Sequence, residues 1–196
     1  MVYQIKVTLL DSEPPIWRRI LVSETTKLSR FNEIIQGAMG WYNCHLHEFI
    51  AEDETRYGAK VSEFGMDLGD DEDVVNERKV ALSTVLKNEG DTIAYIYDMG
   101  DSWEHRVELE KVLPDDDRLR ECPTCLDGKR ACPPEDCGGI FRFYELLKIL
   151  KDPKHQEHAE MTEWLGEPFD PVKFDPGIVN IFLKQFRTRG KAKKAT

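Results

Sequence analysis

Strict alternation of apolar and polar residues in a few short stretches constrains this chain more than any other feature. Tyr3, Ile5, Val7 and Leu9 alternate with Gln4, Lys6 and Thr8. Successive side chains of a strand point to opposite faces, so this period puts the apolar set on one side of a half-buried strand. Thr92 to Asp98 and Trp103 to Val112 alternate in the same way around Met99-Gly100-Asp101-Ser102. That intervening run is rich in turn formers and predicts a β-hairpin. After the Glu13-Pro14-Pro15 corner, Ile16 to Val22 makes a second strand with Trp17 in the core, and His45 to Ala51 makes a short third.

The period is helical elsewhere. Leu28, Phe31, Ile35, Ala38 and Tyr42 predict an amphipathic helix over Ser29 to Gly40, and Ala81 to Lys87 suits one or two turns. Ile140, Tyr144, Leu147 and Lys151 mark one face of a later helix. Asp152-Pro153 and Asp175-Pro176 each resemble an N-cap followed by proline at the first helical position, starting helices that reach about Leu165 and Phe186. Strands first and helices last is the order of an α+β fold: a mainly antiparallel sheet (β-β-α-β, then a hairpin) with C-terminal helices packed on it. One domain is expected over 1–188, with a cysteine-rich loop at 113–139, helices over 140–188 and a basic disordered tail at 189–196. The acidic run Asp67, Asp70, Asp71, Glu72 and Asp73 reads as solvated loop, since the ordered donor spacing of a calcium loop is missing.

A net charge of −10 in 196 residues disfavours whole-surface attraction to nucleic acid or anionic membrane. No apolar run reaches the ~20 residues that span a bilayer, and the alternating N-terminus has no secretory pattern. A cytoplasmic location is therefore the expectation. Five cysteines, four of them within Cys122 to Cys137, do not form the framework of a disulfide-stapled secreted domain.

Two constellations carry candidate chemistry. Cys122-Pro-Thr-Cys125 is one well-formed half of a zinc site, because a two-residue gap lets one turn present two sulfurs to one ion. Cys132 and Cys137 are the candidate second half, although their four-residue gap with Pro133-Pro134 is not a usual knuckle. The competing role is a proline-stiffened loop with reduced, packed thiols. The second constellation is His45, His47 and His105, which share an inward face if their strands are neighbours, with Asp98 or Asp101 nearby to complete a metal or acid-base set. Its competing role is that of hydrogen-bonded histidines at the edge of the core. Gly138 and Gly139, leading into the helix at Ile140, either free backbone N–H groups for an anion or fix a tight loop.

Four ordered blocks, Pro14-Pro15-Ile16-Trp17-Arg18-Arg19, Met39-Gly40-Trp41 with His45-Leu46-His47-Glu48-Phe49, Tyr97 to His105, and Ala131-Cys132-Pro133-Pro134-Glu135-Asp136-Cys137-Gly138-Gly139, closely resemble the plasmid pRi open-reading-frame-three-like family. The same family is also known as an insertion-element passenger family under a resolvase-type name. The resemblance runs from about Tyr3 to Phe186 and departs at Met99, where the family more often has phenylalanine. It implies a roll-like α+β domain, prokaryotic and associated with mobile elements, and no mechanism. A serine recombinase needs an N-terminal nucleophilic serine amid catalytic arginines and a basic helix-turn-helix, and the chain has neither.

Three functional readings follow. The first is a binding or interaction module with a protein partner, stiffened by zinc at Cys122, Cys125, Cys132 and Cys137. The second is a metal-assisted hydrolase or nuclease using His45, His47, Asp98, Asp101 and His105, whose side chains must then converge on one open cleft. The third is a weak nucleic-acid binder acting through the basic tail.

Overall fold

The alternating stretches pair with one another as their apolar faces require. In the computed structural model, which describes residues 1–59, 73–114 and 123–187, β1 (Val2–Leu9) sits mid-sheet. It pairs antiparallel with β2 (Ile16–Ser23) on one side and with β7 (Trp103–Leu113) on the other. β3 (His47–Ile50), β4 (Arg56–Gly58), β5 (Val74–Asn76), β6 (Thr92–Tyr97) and β8 (Thr124–Lys129) complete an eight-stranded sheet in the order β5-β4-β3-β6-β7-β1-β2-β8. Every neighbouring pair is antiparallel except β4 with β5.

One face of this sheet is the core. Tyr3, Ile5, Val7 and Leu9 of β1 and Trp103, His105, Val107 and Leu109 of β7 are buried there. Helix α1 (Leu28–Met39) covers them with Leu28, Phe31, Ile34, Ile35, Ala38 and Met39, and ends at Gly40, whose φ of 103° suits a residue without Cβ. α2 (Leu82–Val85) is a single turn. The C-terminal helices are α3 (Gly139–Lys151), α4 (His158–Leu165) and α5 (Pro176–Leu183). α5 packs on α1 and β8, and one continuous hydrophobic cluster joins sheet, α1, Phe143 of α3 and Leu183 of α5. The α+β, mainly antiparallel reading holds.

Four local expectations change. Trp17 is not in the core: it faces outward with the Lys6 and Arg19 cations over its ring, and Arg18 takes the inward position at 2 % exposure. β8 lies inside the segment expected to be loop, and short β4 and β5 lie in the polar stretch between Glu52 and Arg78. Asp152 does not start a helix; it ends α3, and α4 begins only at His158. Asp175 does cap α5, accepting from Gly177 N at 2.7 Å with Pro176 at the first position. The run from Asp67 to Glu72, Cys122 and the basic tail at 189–196 lie outside the described residues.

Candidate metal centre at the hairpin tip

The turn between β6 and β7 is built from residues that tolerate left-handed backbone. Asp98 (φ 58°) and Ser102 (φ 51°) adopt it, and Ser102 N–H donates to Asp98 O at 2.6 Å. Asp98 Oδ1 accepts from Gly100 N at 2.9 Å, a side-chain turn that asparagine and aspartate favour. With Oδ1 held, Oδ2 points at His45, 3.7 Å from Nε2. His45 lies in the segment just ahead of β3, and its neighbour Leu46 is fixed to the tip by Asp98 N–H donating to Leu46 O at 2.9 Å.

A third element closes over this pair. Asp136, also left-handed at φ 59°, brings Oδ1 to 3.1 Å from His45 Nε2. Its loop is fastened at four points: Trp41 Nε1 donates to Pro133 O (3.0 Å), Tyr42 N to Glu135 Oε2 (3.0 Å), Tyr97 Oη to Glu135 Oε1 (2.5 Å) and Gly138 N to Asp101 Oδ2 (3.0 Å). Burial and the adjacent Glu135 carboxylate push the Tyr97 phenol well up, so it stays a donor. Gly139 is required by close approach, since a Cβ there would lie 2.6 Å from Asp101 O. The two glycines therefore give an N–H to an internal carboxylate and fix the start of α3.

His45, Asp98 and Asp136 each bring one ligand atom within 4.8 Å of the others; among the described residues it is the one such group of His, Cys, Asp or Glu. Asp98 is nearly buried, His45 half-buried and Asp136 open to solvent. An imidazole nitrogen and two carboxylate oxygens match a divalent cation in charge, and one exposed side leaves room for water.

The five residues expected to converge do not do so. His45 and Asp98 meet, but Asp101 is spent on Gly138 N. His47 Nε2 is 2.9 Å from Glu77 Oε2, with both side chains almost wholly buried. His105 is fully buried, its Nδ1 3.3 Å from Tyr95 O, and burial lowers its pKa to about 4, so the ring is neutral. Its Nε2 finds no partner in the core. The edge of Trp41 or of His105 faces the other ring at 5.4 Å.

Three of the four cysteines of the expected zinc site are among the described residues. Cys125 lies on β8, where Asn180 of α5 bonds both its N (2.7 Å) and its O (2.8 Å). Cys132 and Cys137 flank the loop, half-buried against the core. Burial pushes all three thiols up, Cys125 to about 11 and Cys137 to about 12. Among the described residues, which do not include Cys122, no group of three ligand atoms within 4.8 Å of one another involves Cys125, Cys132 or Cys137.

The family model described as Plasmid pRiA4b ORF-3-like protein matches residues 1–177. The chain belongs to that family. Among relatives of this pRiA4b ORF-3-like protein, uncharacterized protein y4hQ of Sinorhizobium fredii (strain NBRC 101917 / NGR234) is 39% identical over 166 residues, covering 84% of this chain and 81% of y4hQ. The crystal structure of MM3350 from Methanosarcina mazei Go1, a protein of unknown function, superposes with a TM-score of 0.78 at 37% identity, covering 90% of this chain and 96% of that one. No described helix of the pRiA4b ORF-3-like chain is long and apolar enough to cross a membrane.

The four family-like sequence blocks meet at one end of the fold. Arg18 Nη1 donates to Lys129 O at 3.0 Å just ahead of the loop, Trp41 holds Pro133, Tyr97 holds Glu135, and His45 and Asp98 face Asp136. Asp136, the third member of this group, is not singled out by the sequence, because it stands in what reads as a structural loop. Its place in the fourth block, directly ahead of the Gly138-Gly139 helix start, was the available signal.

Proposed function

We propose that this pRiA4b ORF-3-like protein binds one divalent cation through His45, Asp98 and Asp136, and that the ion's solvent-facing positions serve metal-assisted hydrolysis of a small substrate. The observation that carries the reading is the mutual approach of three ligand atoms from three separate chain segments within 4.8 Å. Asp98 supports it: the residue is 8 % exposed, yet its Oδ2 meets only the His45 ring, at 3.7 Å. Three protein ligands with open positions are the arrangement that lets a cation polarise a bound carbonyl or phosphoryl oxygen, or lower the pKa of its water. Zinc is the first candidate and manganese the second, given mixed imidazole and carboxylate donors. The net charge of −10 favours a small substrate over a nucleic-acid polymer.

The test is elemental analysis of protein purified without chelator, followed by zinc and manganese titration by calorimetry. About one ion per chain is expected, with affinity falling ~10–100-fold or more in His45→Ala and in Asp136→Asn, a loss at least as large as that for removing a supporting outer-shell group. Replacing Cys122, Cys125, Cys132 and Cys137 by serine separates a cysteine-held zinc from this site. If the ion is lost with the cysteines and kept in His45→Ala, the chain is the zinc-stiffened binding module instead. Hydrolysis is followed with chromogenic ester and phosphoester substrates, and an activity indifferent to His45→Ala removes the catalytic half of the reading.

A further inference from the structure

Arg18 is the one buried cation among the described residues, and its charge meets no carboxylate. A guanidinium has five N–H donors. Nε gives to Ala38 O at 2.9 Å, and Nη1 gives to Trp17 O at 2.9 Å and Lys129 O at 3.0 Å. Nη2 makes no hydrogen bond to any described residue. The face of the group lies against the Phe174 ring, 4.3 Å from its centroid. Burial without an opposite charge disfavours the ionised form and pulls the group's pKa down, although a guanidinium stays protonated at neutral pH. Most buried charges are paired, so an unmatched one held in place by three carbonyls calls for a reason.

The reason lies in what Arg18 borders. It lines a cleft of about 520 Å³ between the end of α1, the 131–135 loop and α5, together with Trp41, Cys132, Phe169, Phe174 and Phe182. That volume falls in the range of small-molecule sites, which combine apolar walls with a few placed polar groups. Two acidic residues on the lining are already engaged: Glu135 takes donors from Tyr97 and Tyr42, and Asp175 takes one from Gly177. Exposed Glu167 and Lys173 balance each other in charge.

We propose that this cleft binds a small organic anion, a carboxylate or a phosphoryl-type head on a flat apolar body, with Arg18 Nη2 donating to the head and the aromatic walls covering the body. The anion supplies the opposite charge that Arg18 lacks, and the Phe174 ring and the backbone carbonyls hold the guanidinium ready for it. None of the three cation ligands lines the cleft. The proposal therefore stands or falls without the metal.

The experiment is a nitrogen-resolved NMR titration of the wild-type protein with benzoate and with phenylphosphonate, following the Arg18 Nε–H and Trp41 Nε1–H signals. These probes separate a carboxylate head from a phosphoryl-type one, and neither is hydrolysable. A saturable shift of both signals is expected with at least one probe, with Kd below about 1 mM. Phe182 is 56% exposed at the cleft, so a charge there is expected to leave the fold intact. Phe182→Glu puts a carboxylate in the anion's path and is expected to weaken binding at least about tenfold. Absence of a saturable shift with either probe overturns the proposal, as does binding of undiminished strength in Phe182→Glu.

Discussion

The middle of the sheet and its hairpin end use the same residue type for opposite purposes. His47 and His105, mid-sheet, are closed off: one is locked to Glu77 at 2.9 Å, and the other is entombed as a neutral ring among Trp41 and Tyr95. His45, two residues from His47, sits where the strand has not yet begun, with a third of its side chain exposed between two carboxylates. The difference teaches that depth decides the role of a histidine. Deep in the sheet the ring must be neutral or paired, so it serves packing. At the rim its partly exposed edge is open to water or an ion.

The largest test of that contrast is pH. The His105 pKa in the folded protein, about 4, lies below its ordinary 6.5. As pH falls, the unfolded chain therefore takes up its proton first. His105's contribution is fully present above about 6.5 and is lost as pH drops through about 4. A shift of this size corresponds to a loss of about 3 kcal/mol across that window. Urea denaturation at a series of pH values measures it, and His105→Leu is expected to flatten the acid-side slope. An unchanged slope in that variant would mean that His105 is already open to solvent protons, and the contrast with the rim would disappear.

How much of this was legible from residue order differs between the two regions. The period-2 stretches marked β1, β6 and β7 because one face of each carries apolar side chains and aromatic rings almost alone, His105 being the one imidazole among them. β8 carried no such mark: Asp127 and Gly128 are poor strand formers. It is held by long-range pairing to β2 and by Asn180 bonding both backbone groups of Cys125. Asp152-Pro153 misled because a turn and an N-cap use the same local bond: Asp152 Oδ1 accepts from Lys154 N at 3.0 Å after α3 has ended. In the candidate site, His45 and Asp98 were legible as residues near one strand end and one turn, although the strand expected from His45 begins only at His47. Asp136 and Glu77 were not, since each meets its histidine only after a distant segment folds back.

The His47–Glu77 pair gives an intermediate effect. Glu77→Gln keeps the shape and removes a buried, charge-assisted bond, which is expected to cost about 1.5–3 kcal/mol in chemical denaturation. Cation affinity at the hairpin end is expected to stay within about twofold of wild type, because Glu77 belongs to none of the ligand segments. If affinity falls together with stability, the two regions form one cooperative unit.

The smallest effect is the most discriminating. In metal-free protein, His45→Ala removes a half-exposed ring whose contacts are two carboxylates and the edge-on Tyr97 ring at 5.8 Å. A surface substitution of this kind shifts stability by no more than about 0.5 kcal/mol. It also relieves nothing essential in the clasp, because the four bonds that fasten the 133–138 loop run through Trp41, Tyr42, Tyr97 and Asp101 rather than through His45. A near-silent His45→Ala by urea titration, beside a costly Glu77→Gln, means that the His45 ring is kept for something other than stability. A His45→Ala loss approaching that of Glu77→Gln places His45 with the mid-sheet histidines as a structural residue and takes away the reason to look for an ion there.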